Sequence, residues 1–130
     1  MGTSGPFGST WSGLPTVVER MKSSFGGRWR IVEMEQWDQE FVDLVLPGHI
    51  TFTGNGRGEL YFGAVDVSLD WRVDAAGNRV DFAFEGFDEG DEVSGTGWAE
   101  VNGGMLTGRI AFHSGDESGF VAQKAGKAPR

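Results

Sequence analysis

Val65-Asp66-Val67-Ser68-Leu69-Asp70-Trp71-Arg72-Val73-Asp74 alternates apolar and polar residues without a break. In an extended chain successive side chains point to opposite faces, so Val65, Val67, Leu69, Trp71 and Val73 share one face and the polar residues share the other. A helix would scatter both sets around its axis. The stretch therefore reads as a half-buried antiparallel β-strand with one wet face.

The same period runs outward in both directions. Towards the C-terminus, Val80, Phe82 and Phe84 alternate with Arg79, Asp81 and Glu85. Further on, Leu106, Ile110 and Phe112 alternate with Thr107, Arg109, Ala111 and His113. Towards the N-terminus, Ile50 and Phe52 oppose His49, Thr51 and Thr53, and weaker strands lie at 28–35, 58–63, 93–101 and 118–123. Gly54-Asn55-Gly56, Ala76-Gly77-Asn78 and Asn102-Gly103-Gly104 supply hairpin turns between strands. The 22 glycines serve this purpose and form no repeat.

Inward parity switches from even at Leu60 and Phe62 to odd at Val65, which predicts a bulge or sharp bend near Gly63. One short helix is expected from Asp38 to Val45, with Asp38 as N-cap, Phe41 and Val45 on one face, and Pro47 preventing continuation.

Eight short strands in a meander predict an all-β fold, an antiparallel up-and-down barrel of the lipocalin or avidin type, closed so that no edge strand remains. An open two-sheet sandwich is the alternative. The expected organisation is a flexible extension at 1–27, one barrel domain at 28–123 and a polar tail at 124–130. Within the extension, Thr16 could cap a short helix.

Charge and composition narrow the partners. The net charge is −8, and between Arg28 and Gln123 six arginines face 18 carboxylates. Such a surface repels phosphate backbones, so nucleic acid is excluded as a partner. The chain has no cysteine, hence neither a disulfide framework nor a thiolate metal site. No stretch approaches the roughly 20 apolar residues of a membrane helix, and residues 1–27 do not read as a signal peptide. A soluble cytoplasmic protein without membrane contact follows as the expectation.

Two resemblances add to this reading. Gly27-Arg28-Trp29 resembles the opening strand of lipocalins and avidins, whose Gly-x-Trp marks the closed end of the barrel. The series Trp37-Asp38-Gln39, Phe84-Glu85-Gly86-Phe87-Asp88-Glu89, Gly95-Thr96-Gly97-Trp98-Ala99 and Phe112-His113-Ser114-Gly115-Asp116-Glu117-Ser118-Gly119-Phe120 is similar to a family of small bacterial β-barrel proteins. That likeness implies no activity and supplies no catalytic residues.

Chemistry could sit in three places. Residues 85–92 carry five carboxylates in eight positions (Glu85, Asp88, Glu89, Asp91, Glu92), either as a solvated hairpin loop or as a site for a cation or basic partner. Their spacing does not match an EF-hand, and neither metal nor cofactor is expected. His113, Asp116 and Ser118 mimic a catalytic triad, but they are sequential on one turn and lack a nucleophile elbow. Asp116 or Ser118 is expected instead to accept backbone N–H bonds that shape the turn.

The loops after strands one, five and seven share one end of a meander barrel. Trp37, Asp38, Asp88, Glu89, Asp91, His113 and Asp116 are therefore expected to converge at one rim, with Trp98 and Ser118 completing a candidate ligand-binding set. Finally, Glu33 shares parity with Trp29 and Ile31. It either points into a polar cavity or lies outside near a strand end.

The leading expectation is a binding module that takes a small molecule or protein at this acidic, aromatic-bearing rim. The alternatives are a small barrel enzyme with cyclase- or isomerase-type acid–base chemistry at Glu33 or the His113/Asp116 pair, and an acidic interaction or inhibitor subunit.

Overall fold

Each alternating segment forms a strand, and the eight strands pair in chain order into a closed antiparallel barrel. The computed structural model describes residues 25–74 and 78–125. The expected extension up to Ser24, the helix cap at Thr16, the Ala76-Gly77 part of one turn and the tail beyond Ala125 lie outside these residues. The elements are β1 (Gly27–Met34), α1 (Gln39–Val42), β2 (His49–Phe52), β3 (Arg57–Phe62), β4 (Val65–Val73), β5 (Val80–Asp88), β6 (Asp91–Asn102), β7 (Met105–Phe112) and β8 (Glu117–Lys124). First and last strands close the ring, with Trp29 opposite Lys124 and Met34 opposite Phe120.

The alternation holds along the decisive strand. Val65, Val67, Leu69 and Trp71 are buried, while Asp66, Ser68, Asp70 and Arg72 are exposed. Inside, ring contacts run the length of the barrel. Phe25 meets Phe52 at 6.5 Å between centroids, Phe52 meets Phe82 at 6.1 Å, and Phe82 meets Phe84 at 6.5 Å. Phe84 meets Phe112 at 5.2 Å, and Phe112 meets Trp37 at 6.4 Å. An eight-stranded barrel is just wide enough for side chains to fill it, and here aromatic rings do so.

Two glycines make room for that packing. Gly95 and Gly97 stand on the inward face of β6, opposite Phe84 and Phe82. A Cβ at Gly95 would lie 2.5 Å from Phe84 Cζ, and one at Gly97 would lie 2.5 Å from Phe82 Cζ. The rings lie where side chains would otherwise be. The Gly95-Thr96-Gly97 motif is thereby explained by packing.

Two local expectations need correction, and of the two positions open to Glu33 the outer one holds. The parity switch at Gly63 is no bulge: Phe62 pairs directly with Val65 across a two-residue turn, and Gly63 has φ 58°. Residues at the two ends of such a turn face the same way, so the switch is ordinary hairpin geometry. The bulge lies instead in β1, where Ile31 opposes Ala122 and Glu33 opposes Val121, leaving Val32 as the extra residue. This shift turns Met34 inward and Glu33 out to solvent.

The helix is also shorter than expected. It ends at Val42, whose side chain is buried, while Val45 is 59 % exposed. Asp43 stops it: one carboxylate oxygen accepts from Arg30 at 2.8 Å and Gln39 at 3.0 Å, and the other accepts from Gly48 N–H at 2.8 Å. These bonds draw the chain back towards β2.

Candidate functional site

The connection from β1 to β2 crosses the barrel mouth and closes it. At one side Glu35 N–H donates to Gly119 O at 2.9 Å, and Gln36 N–H donates to Ser118 Oγ at 3.0 Å. At the other side Gly63 N–H donates to Val42 O at 2.9 Å. Between these anchors Trp37 packs on Phe62 at 5.1 Å and on Phe41 at 6.1 Å. Trp37 is thus a half-buried plug over the aromatic core, and Asp38 is the N-cap of α1, accepting from Phe41 N–H at 2.9 Å. Both therefore have structural roles in closing the mouth.

The remaining expected rim residues do share this end of the barrel, because the β1–β2, β5–β6 and β7–β8 connections alternate with those at the opposite end. They occupy separate hairpins with local partners. Asp88 and Asp91 face each other across the turn Glu89-Gly90, with Glu89 at φ 54°. The supposed acidic loop is thus two strand ends joined by two residues. His113 is exposed, with Nδ1 3.0 Å from Ser94 Oγ. The carbonyl of Asp116 accepts from Phe112 N–H at 2.8 Å.

Ser118 is fully buried, and its Oγ donates to Gly119 O at 2.8 Å while accepting from Gln36. It holds the lid rather than its own turn, which backbone bonds close, Phe112 N–H to Asp116 O at 2.8 Å and Gly115 N–H to Phe112 O at 2.9 Å. No triad geometry results, since His113 and Ser118 bond to different partners. Among the described residues no group of three or more His, Asp or Glu is arranged to hold a metal ion.

Trp98 stands apart from the rim, half-buried on the outer wall of β6. There the wall is concave. Asp70, Ala83, Thr96, Ala111 and Glu117 are register neighbours across β4 to β8. Three small side chains in one row leave a trough, and larger groups stand beside it. In the next row Arg72, Asp81, Trp98 and Arg109 are neighbours. The resulting cleft has a volume of about 680 Å³.

Its charges are ordered. Arg79 lies over the Trp98 ring at 4.8 Å from Cζ to centroid, with Nε 3.3 Å from Asp81 Oδ1. Arg109 bridges Glu35 at 3.1 Å and Glu117 at 3.4 Å. The Gly119 N–H bond, then the Arg109 charge, hold the Glu35 carboxyl below its ordinary range.

A second cleft of about 710 Å³ adjoins the first and shares Asp70 and Ala83 with it. Phe87 borders it and is 52 % exposed, with Glu85, Glu92, Ser68 and Ser94 around it. Phe87 is the cross-strand neighbour of both Asp66 and Glu92. Arg57 and Asp70 close one side with a 2.8 Å ion pair.

Comparison with protein-family models, with curated proteins and with solved structures finds no match. The reading of the two clefts therefore rests on their own chemistry. Alternation had already placed Asp70, Arg72, Arg79, Asp81 and Arg109 on the outer face, but the trough arises only when register aligns Ala83, Thr96 and Ala111. That alignment was the missed signal. Among the described residues no helix is long and apolar enough to cross a membrane.

Proposed function

We propose that this protein is a binding module whose recognition surface is the outer wall of β3 to β8, and that the Phe87 cleft takes a cationic group such as an amine or a basic peptide segment. One observation carries the reading. A phenyl ring half open to solvent stands in a concave site among the carboxylates Glu85, Glu92 and Asp66. An aromatic face beside carboxylates attracts ammonium and guanidinium groups, the ring through its π-face and the carboxylates through their charge.

Trp37 packs into the mouth against Phe62 and Phe112, which favours the wall over the rim as the recognition surface. Acid–base chemistry inside the barrel loses its basis. Glu33 lies outside, and the only buried polar residues among those described, His49 and Ser118, are held in the wall and the lid. His49 stacks on Tyr61 at 5.7 Å, with Nε2 2.8 Å from Glu59 and Nδ1 3.0 Å from Pro47 O.

The test is a titration of the full chain with benzylamine, spermidine and a lysine-rich peptide, read by thermal shift and by amide NMR shifts. The expected result is stabilisation with perturbed amides at β4 to β6, weakened by salt and lost in Phe87→Ser. Stabilisation by none of these probes would overturn the proposal, as would equal stabilisation of the variant.

A further inference from the structure

We propose that the cleft around Trp98 is a separate oxyanion site, for a ligand carrying a carboxylate or phosphate on a planar apolar body. The starting point is an arginine without an ion pair. Every other arginine among the described residues has a carboxylate partner: Arg28 with Glu59, Arg30 with Asp43, Arg57 with Asp70, Arg79 with Asp81, and Arg109 with Glu35 and Glu117. Arg72 is exposed on the cleft wall and has no ion pair among the described residues. The three carboxylates bordering the cleft, Asp70, Asp81 and Glu117, are each matched by an arginine. Arg72 is left over.

Arg79 adds to this. It contacts Asp81 through Nε, so its two terminal nitrogens make no hydrogen bond among the described residues. Its guanidinium is held in place by the Trp98 ring beneath it. A guanidinium fixed by stacking has less freedom to lose on binding, and its planar fork matches a carboxylate or phosphate edge. In a molecule this acidic, such an anion finds a favourable potential only where arginines gather.

The rest of the ligand follows from the floor. Ala83, Thr96 and Ala111 lie side by side across three strands and present small side chains, two methyl groups flanking one threonine. A flat ring fits this trough with its edge against Trp98, and the volume of about 680 Å³ lies in the range of small-molecule sites. A bulky or strongly hydrated ion gains nothing from such a floor, whereas an aryl carboxylate or aryl phosphate uses both halves of the site.

This proposal stands independently of the Phe87 reading. The experiment titrates the full chain with benzoate, phenyl phosphate and inorganic phosphate, by calorimetry and tryptophan fluorescence, in wild type, Arg72→Gln, Arg79→Gln and Phe87→Ser. Both aryl anions are expected to bind, the tighter one identifying the oxyanion, with inorganic phosphate weaker by about tenfold or more. Arg72→Gln and Arg79→Gln are each expected to weaken binding by about tenfold while the circular dichroism spectrum is unchanged. Phe87→Ser is expected to leave it unaltered, which separates failure here from failure of the cation site. Absence of aryl-anion binding at millimolar concentration would overturn the proposal. So would equal affinity in the arginine variants, or inorganic phosphate binding as tightly as the aryl compounds.

Discussion

The ring of Phe82 lies where a side chain on Gly97 would have to go: a Cβ at position 97 would stand 2.5 Å from Phe82 Cζ and 2.7 Å from Arg109 O. One neighbour is a ring wedged in the core and the other is backbone, so neither can yield cheaply. Gly97→Ala is therefore expected to destabilise the barrel by about 1–3 kcal/mol, the usual range for overpacking a filled core. Urea unfolding followed by tryptophan fluorescence measures it, and an unchanged midpoint would refute the account of the glycine motif.

Asp43 organises the β1–β2 connection, and its ionisation should be visible in stability. Burial raises its pKa, but the Gly48 N–H bond, the Gln39 amide and the Arg30 charge outweigh burial, so the folded value lies below the ordinary 3.8. A group with a depressed folded pKa stabilises the fold above its unfolded pKa, and that contribution disappears as pH falls through the folded value. Wild type should thus lose stability below about pH 4 more steeply than Asp43→Asn. At neutral pH Asp43→Ala should cost about 1–3 kcal/mol, because Gly48 N–H and Arg30 lose their acceptor. Denaturant midpoints across pH check both statements.

Removing the plug should open the mouth. Trp37→Ala deletes contacts with Phe41, Phe62 and Phe112, and about 2–4 kcal/mol of stability is expected to go with them. The same variant should increase binding of a hydrophobic dye. If Trp37 were a ligand platform, its loss would abolish binding and leave the unfolding midpoint in place.

The His113, Asp116 and Ser118 cluster gives a split result. Ser118→Ala leaves the buried end of the Gln36 bond without its acceptor, at an expected cost of about 1–2 kcal/mol. His113→Ala and Asp116→Asn touch only exposed side chains and should stay within about 0.5 kcal/mol of wild type. Thermal unfolding of the three variants decides between a lid anchor and a cooperating set.

All eight strands were legible in the sequence because each is half-buried, and burial on one face writes itself as alternation. Where the backbone breaks rhythm, the alternation misleads. The extra residue at Val32 made Glu33 look inward, although the apolar Met34 beside it hinted at the true phase. The short turn at Gly63 looked like a bulge because a two-residue hairpin shifts parity in the same way. The candidate site was less legible. Local pattern identified Trp37 as an aromatic near carboxylates, yet its partners Phe62 and Phe112 lie on distant strands, so its service as a stopper could not be read locally. The wall clefts depend on which residues become neighbours between strands, as Ala83, Thr96 and Ala111 do, and pairing is a property of the folded ring.

The pairing of β1 with β8 has a consequence for how the molecule comes into being. Trp29 meets Lys124, and Arg28 O accepts from Ala125 N–H at 3.0 Å, so the two strands furthest apart in sequence share one seam. Until the last strand arrives, β1 and β7 each present a bare row of amides and carbonyls to whatever lies nearby. Pairing β1 with β8 closes a loop of nearly the whole barrel, the costliest contact in chain entropy, and a chain truncated before Glu117 is expected to expose both edges and aggregate.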